Sequence, residues 1–213
     1  MRSNPDFEMD PRDVRRTVRE NPWALLVSAT SGGLVASHYP VLLEEDREEL
    51  SILTHVGRPD ELVHELGAGR ELLVVVQGPQ GYLSPSWYGT PDEGPAVPTW
   101  NFTALHLTGV PEVLDAEANL RALAALADHL ESPVDRPRAM LADPRDAEYA
   151  HRIAGGTVGL RLNPTRVEAK AKLSQDKPAA VVDRVLRELE GPGPYAAPAL
   201  AAEMRRVRDG DRG

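Results

Sequence analysis

Residues 78–102, GPQGYLSPSWYGTPDEGPAVPTWNF, constrain the fold more than any other stretch. They carry prolines at 79, 85, 91, 95 and 98, and they hold two of the three Trp, two of the five Tyr and one of the two Phe. Proline donates no hydrogen bond to a strand ladder, so this stretch is expected to lie outside the middle of a sheet. Its aromatic surface is expected to cover something rather than face water. Two halves, Pro85-Ser86-Trp87-Tyr88 and Pro98-Thr99-Trp100-Asn101-Phe102, each set an aromatic ring beside small polar groups. That chemistry suits a flat, partly polar ligand such as a macrocycle or a flavin. A stiff loop capping one end of a barrel fits the same residues equally well.

On either side of this stretch, turn signals alternate with short apolar runs. Asp10-Pro11 opens a helix over residues 11–20, which Asn21-Pro22 ends. Residues 23–29 read as a buried strand, Ser31-Gly32-Gly33 as a turn and residues 34–43 as the return of a hairpin. An acidic, solvated turn at 44–49 precedes a third strand at 50–55. Residues 58–66 form a short helix closed by Gly67, and the β-branched run 72–77 forms a strand. Residues 101–114 read as a strand bent near Gly109 and Pro111. In the helix at 116–131, Leu120, Leu123, Leu126 and Leu130 form a core-facing stripe. Residues 133–145 are irregular, 146–154 helical, and 157–162 and 167–173 are strands around an Asn163-Pro164 turn. A helix at 177–190 is broken by GPGP at 191–194, and 199–207 reads as a frayed helix before a polar tail. The expected organisation is one domain over residues 1–190, with 191–213 a helical or flexible tail. The expected class is mainly β with peripheral helices (α+β), as a closed or split antiparallel barrel; an open α+β sheet is the alternative.

Composition narrows the function classes. The formal charge of −9 lacks the basic footprint that broad nucleic-acid contact requires. No cysteine is present, which excludes disulfides, thiolate metal sites and iron–sulfur clusters. No apolar run approaches the length of a membrane span and the N-terminus has no apolar signal core, so a cytoplasmic protein without membrane contact is expected.

Among the six histidines, at 38, 55, 64, 106, 129 and 151, none is spaced from another as in HExxH. His55 stands out. It ends a strand, and Arg58-Pro59-Asp60 opens a helix directly after it, so His55 and Arg58 together suit a cofactor with a ligand-seeking centre and an acidic arm. A strand-end histidine that merely hydrogen-bonds is the competing reading. His38 shares a strand face with Leu34 and Ala36, His106 reads as half-buried structure, and His64, His129 and His151 read as surface. Lys170, Lys172 and Ser174 share one strand face by period two, followed by Gln175 and Asp176. Two lysines there suit a phosphate or a carboxylate, or a solvated face. Ser84 and Ser86 lack the GxSxG context of a hydrolase nucleophile, and Gly78-Pro79-Gln80-Gly81 lacks the lysine of a phosphate loop.

These motifs resemble the PaiB-like family, often labelled FMN-binding negative transcriptional regulators. The matching pieces are Ser37-His38-Tyr39-Pro40, His55-Val56-Gly57-Arg58, Gly78-Pro79-Gln80-Gly81-Tyr82, Pro85-Ser86-Trp87-Tyr88, Val97-Pro98-Thr99-Trp100-Asn101-Phe102 and Lys172-Leu173-Ser174-Gln175. The resemblance implies an FMN-binding split β-barrel, usually a homodimer with ligand sites near the subunit interface. The sequence departs from the family after His55, where Pro59 to Val63 replace an Asn-Pro and an aromatic, and at Ala171 and Asp176.

One branch of that family consists of haem-dependent piperazate synthases, which form the N–N bond of piperazic acid from δ-N-hydroxy-ornithine. Resemblance to it implies haem b held by His55 as the axial iron ligand, and a small amino-acid substrate. Lys170 and Lys172 are then the expected catalytic cations. Arg58, Trp87, Tyr88, Trp100, Asn101 and Ser174 are the expected cofactor contacts. The alternative is FMN in a PaiB-type regulator or an FMN-dependent oxidoreductase.

Overall fold

The computed structural model describes Met1, residues 4–89 and residues 94–210. In chain order the elements are α1 (Pro11–Glu20), β1 (Trp23–Thr30), β2 (Gly33–Leu43), β3 (Ile52–Gly57), α2 (Arg58–Val63), β4 (Leu72–Leu83), β5 (Thr99–Gly109), β6 (Glu112–Val113), α3 (Ala116–Glu131), α4 (Pro144–Ala154), β7 (Thr157–Leu162), β8 (Arg166–Lys172), α5 (Ala179–Glu190) and α6 (Pro198–Gly210). The protein is mainly β with peripheral helices. The described residues fall into two compact units. Unit 1 comprises Met1–Pro11, Gln77–Ala104 and Glu168–Gly213; unit 2 comprises Arg12–Val76 and Leu105–Val167.

In unit 2 the strands neighbour one another in the order β6, β7, β3, β2, β1 and the start of β4. The pairings among β7, β3, β2, β1 and β4 are antiparallel, with Leu26 opposite both Ser37 and Val74. Alternation decides which side is buried. Ala24, Leu26 and Ser28 of β1, and Leu72, Val74 and Val76 of β4, turn inward and are nearly inaccessible. Each buried Leu or Val contributes roughly 1.5–3 kcal/mol relative to exposure. The opposite face of the β1–β2 hairpin is open: Trp23 is 62 % exposed, Leu34 82 %. Residues 23–43 contain no Asp, Glu, Lys or Arg, in a chain that is 27 % charged.

Helix α3 lies on this sheet because β7 carries Gly159. A Cβ there would stand 2.9 Å from Asn119 Oδ1 and 3.1 Å from Asn119 Cα. The buried Asn119 donates through Nδ2 to the carbonyls of Ala154 and Thr157 at 3.2 and 3.3 Å, pinning α3 to the end of α4. Of the expected leucine stripe, Leu120 and Leu126 are buried and Leu123 partly so. Leu130 is 44 % exposed, because it sits in the last turn, beyond the sheet. Glu44, expected in a solvated turn, is instead hydrogen-bonded by Arg161 Nε at 2.9 Å and by the Ser51 hydroxyl. Burial would raise its carboxyl pKa, but those two donors outweigh burial and hold it low.

Unit 1 contains the rest of β4, the first half of β5 and most of β8, neighbours in that order. Here the structure corrects the expectation of a loop from residue 78. Strand β4 continues through Pro79 to Leu83, and only then does the chain leave the sheet. The last β4 residue paired with β1 is Val76, so Pro79 faces no donor-requiring neighbour on that side. Close approach to β5 is allowed by Gly78, where a Cβ would meet Thr103 Cβ at 3.1 Å. Residues 90–93 of the Pro-rich stretch lie outside the described residues.

The core of unit 1 is helical. Val182, Val185, Leu186 and Leu189 follow 3.6-residue spacing along α5 and meet Leu200, Ala201 and Met204 of α6, with Leu83 from β4 and Leu173 just after β8. The segment after GPGP therefore does more than fray: Leu200 is 1 % exposed and Met204 2 %. Gly81 makes room for it, since a Cβ would stand 3.0 Å from Leu200 Cδ2. Among the described residues, no helix is long and apolar enough to cross a membrane.

Candidate functional site

The candidate residues separate by unit. In unit 2, His55 lies on β3 opposite Gly159 of β7 and is half-buried. Its Nδ1 is buried and has no hydrogen-bond partner among the described residues. Desolvation pushes the imidazole pKa down and so favours the neutral ring. The Tyr39 ring stands edge-on to it, centroids 5.7 Å apart at 70°. Tyr39 is itself held at its hydroxyl, which donates to Asp60 Oδ2 at 2.7 Å and accepts from the Gly57 amide at 3.0 Å. The residue that flanks His55 is thus fixed by groups two and five positions after it in sequence.

Arg58 begins α2, but its guanidinium is engaged: Nε donates to the Gly155 carbonyl at 3.0 Å and NH1 to Glu61 Oε2 at 3.1 Å. The Arg58 amide is also taken, by the Gly156 carbonyl at 3.0 Å. Together with Asp60 and Glu61 in its first turn, this makes α2 an acidic helix start.

His64 was read as surface and is not. It is 2 % exposed, with Nδ1 2.9 Å from Ser28 Oγ and Nε2 3.0 Å from Ser37 Oγ. A neutral imidazole donates to one hydroxyl and accepts from the other. Burial lowers its pKa, and the nearby Asp60 carboxylate offsets this only in part. The unfolded chain then binds a proton that the folded chain refuses once the pH falls below the ordinary value of 6.5. Stability is expected to be flat above that pH and to fall as pH drops below it. Urea midpoints at pH 7.5 and 5.5 measure the loss. A His64→Asn variant should show a smaller difference between the two; an equal difference would remove His64 as the cause.

In unit 1, alternation on β5 brings Thr99 and Asn101 together with Lys172, the last residue of β8, and Ser174, two residues beyond it. With Tyr88, Asp176 and Lys177 they line a cavity of about 350 Å³. Lys172 Nζ donates to Thr99 Oγ1. Burial lowers the Lys172 pKa, and Lys170 and Lys177 push the same way against Asp176. Asn101 is fully buried; its Nδ2 donates to Ser174 Oγ at 2.9 Å, and its Oδ1 has no partner among the described residues. Ser174 takes a left-handed backbone, φ 64°. The Tyr88 hydroxyl is hydrogen-bonded with Ser174, and burial raises the phenol pKa. Gln175 folds back on its own strand, accepting from the Leu173 amide at 2.7 Å.

The remaining expected residues lie off this cavity's wall. Trp87 packs against the unit 1 core. Trp100, 49 % exposed, is on the other face of β5 and donates to Gln80 Oε1 at 2.6 Å. Lys170 Nζ sits 5.7 Å above the Phe7 ring. Sequence reasoning passed over Thr99 and Lys177 as site residues, although Thr99 shares a period-two face with Asn101, the signal used for the lysines.

Comparison with known proteins places this geometry. Relatives include the Bacillus subtilis (strain 168) protein called protease synthase and sporulation protein PAI 2. It is 27% identical over 178 residues, 84% of this chain and 83% of that protein. Among solved structures, the FAD and heme binding protein from Mycobacterium smegmatis superposes with a TM-score of 0.56 at 15% identity, covering 78% of this chain and 73% of its own. The flavocytochrome Anf3 from Azotobacter vinelandii gives 0.54 at 16% identity, covering 78% and 68%. These likenesses support the split-barrel fold. The family model described as "Putative FMN-binding domain" matches residues 1–166. With most of its length matched by that model, the chain belongs to the PaiB-like FMN-binding split-barrel family.

Proposed function

We propose that the chain is an enzyme that holds haem b through His55 and converts δ-N-hydroxy-ornithine to piperazic acid by forming an N–N bond. The observation that carries this reading is His55: a half-buried imidazole, favoured in its neutral form by burial, with a buried ring nitrogen left unpartnered among the described residues. Neutral imidazole is the form that ligates iron. A buried polar atom without a partner costs about 1–3 kcal/mol, which a ligand there would offset. That one solved neighbour is called an FAD and heme binding protein, and another a flavocytochrome, supports a haem on this fold.

When bound, the haem supplies an iron centre that makes the hydroxylamine nitrogen electron-poor. The reaction is redox-neutral. The N–O bond breaks, the hydroxyl leaves as water with a proton from the α-amine, and the amine lone pair forms the N–N bond. The protein's part is to hold and orient. Tyr39, fixed by Asp60 and Gly57, sets the plane in which His55 presents its ring. The substrate carboxylate requires a cation; Arg58, three residues after His55, is already paired with Glu61. The partner is a second copy of the chain, seated on the outer face of the β1–β2 hairpin, where residues 23–43 bring no Asp, Glu, Lys or Arg into the contact.

A second reading, an FMN-binding regulator or FMN-dependent oxidoreductase, is favoured by the family's description. The absorption spectrum of the protein purified from cells supplied with a haem precursor separates the two. An intense Soret band that shifts on reduction is expected. A flavin spectrum, with no Soret band even after haem is added, would replace the haem reading with the flavin one.

A further inference from the structure

We propose that the unit 1 cavity is a binding site for the oxyanion headgroup of a small ligand, a carboxylate or a phosphate, with Lys172 as its principal cation. The argument uses unit 1 alone and does not depend on His55; only the carboxylate arm rests on the amino-acid substrate proposed above.

Charge is the first ground. The cavity wall carries Lys172, Lys177 and Asp176. Asp176 is committed to Lys177, at 2.9 Å. Lys172 forms no ion pair among the described residues, and its bonded partner is a neutral hydroxyl, Thr99 Oγ1. An ammonium group has three donors, so two remain for a ligand. A half-buried cation beside two other lysines, offset only by the shared Asp176 carboxylate, is an arrangement that an incoming anion stabilises.

The second ground is Asn101. It is completely buried, it contributes to the cavity wall, and its carboxamide oxygen is an acceptor without a donor among the described residues. Its amide nitrogen donates to Ser174 Oγ at 2.9 Å and to Met204 Sδ at 3.6 Å, which orients the carboxamide. An oxyanion carried next to an N–H or O–H group meets both needs. An α-amino acid has its ammonium beside its carboxylate. A ribityl phosphate has hydroxyls beside its phosphate. The Tyr88 and Ser174 hydroxyls stand on the same wall and can hydrogen-bond either headgroup.

Calorimetric titration of the full chain with four probes tests this: FMN against riboflavin, which lacks the phosphate, and L-ornithine against putrescine, which lacks the carboxylate. At least one oxyanion-bearing probe is expected to bind more tightly than its counterpart. Lys172→Gln should weaken that probe by about 10- to 100-fold, the worth of a charge-assisted contact. Preference for FMN assigns a phosphate, preference for L-ornithine a carboxylate. Equal binding within both pairs, or an oxyanion preference that survives in folded Lys172→Gln, overturns the site. Should the variant not fold, reductive ¹³C-methylation of the wild-type lysines gives the same answer. The resonance of Lys172 should titrate below ordinary lysine and move upward on adding inorganic phosphate or L-ornithine. No movement with either overturns the site as well.

Discussion

His55→Ala is expected to abolish haem binding while leaving the fold intact. Titrated with haemin, the wild-type chain should saturate with a sharp Soret band, and the variant should give only the broad absorbance of free haemin. Affinity should fall by more than about 100-fold, since even a residue that only supports a ligating histidine is worth 10–100-fold. The loss should be specific. His55 is half-buried and its Nδ1 makes no hydrogen bond among the described residues, so truncation severs no described link at that atom. Far-UV circular dichroism and the melting temperature should stay close to wild type. Adding free imidazole should restore part of the Soret band by filling the vacated position. A variant that binds haem fully without imidazole would end the assignment of His55 as ligand.

Leu200→Ala is expected to be the most damaging of the conservative truncations outside the sheet. Leu200 is 1 % exposed and packs in the cluster with Leu186, Leu189 and Met204. Loss of a buried Leu to Ala costs about 2–5 kcal/mol, a large share of the roughly 5–15 kcal/mol that keeps a domain folded. The urea midpoint should drop accordingly. Trp87 packs against the same cluster, so its fluorescence should report the change. Leu62→Ala is the control: at 76 % exposed, Leu62 should shift stability by no more than about 0.5 kcal/mol. If the two variants unfold at the same urea concentration, α6 is not part of the cooperative core.

These contrasts show where local pattern sufficed. The first helix was expected at 11–20 and lies there, because Pro11 starts it and Asn21-Pro22 stops it without help from the rest of the chain. The strand expected to bend near Gly109 and Pro111 is instead broken there into β5 and β6, which take separate places in the strand order. Pro79 was not legible as a strand residue, because whether proline is tolerated depends on where the neighbouring strand ends, and no local window contains that. His64 failed for a related reason. It follows the short α2 among charged neighbours in sequence, and only the β1–β2 pairing brings Ser28 and Ser37 to the two sides of its ring. At the candidate site, Lys172 and Ser174 do line one cavity, but Ser174 reaches it from beyond the end of β8 through a left-handed backbone that period two does not describe. Their meeting with Thr99 and Asn101, 73 residues away, needed the tertiary structure.

The division of the chain also bears on how the protein is made. Unit 1 is assembled from three separated stretches, the last of which begins at Glu168. A ribosome delivers residues in order, so Leu83 emerges long before the α5 and α6 side chains that bury it. Unit 2 is complete in sequence by Val167 and can close while synthesis continues. The first eleven residues and the 77–104 segment must wait, with their apolar groups exposed, until the stretch from Glu168 onward has been made. The prolines at 79, 85, 91, 95 and 98 each remove a backbone donor from this waiting stretch, which lowers its capacity to pair with nascent neighbours.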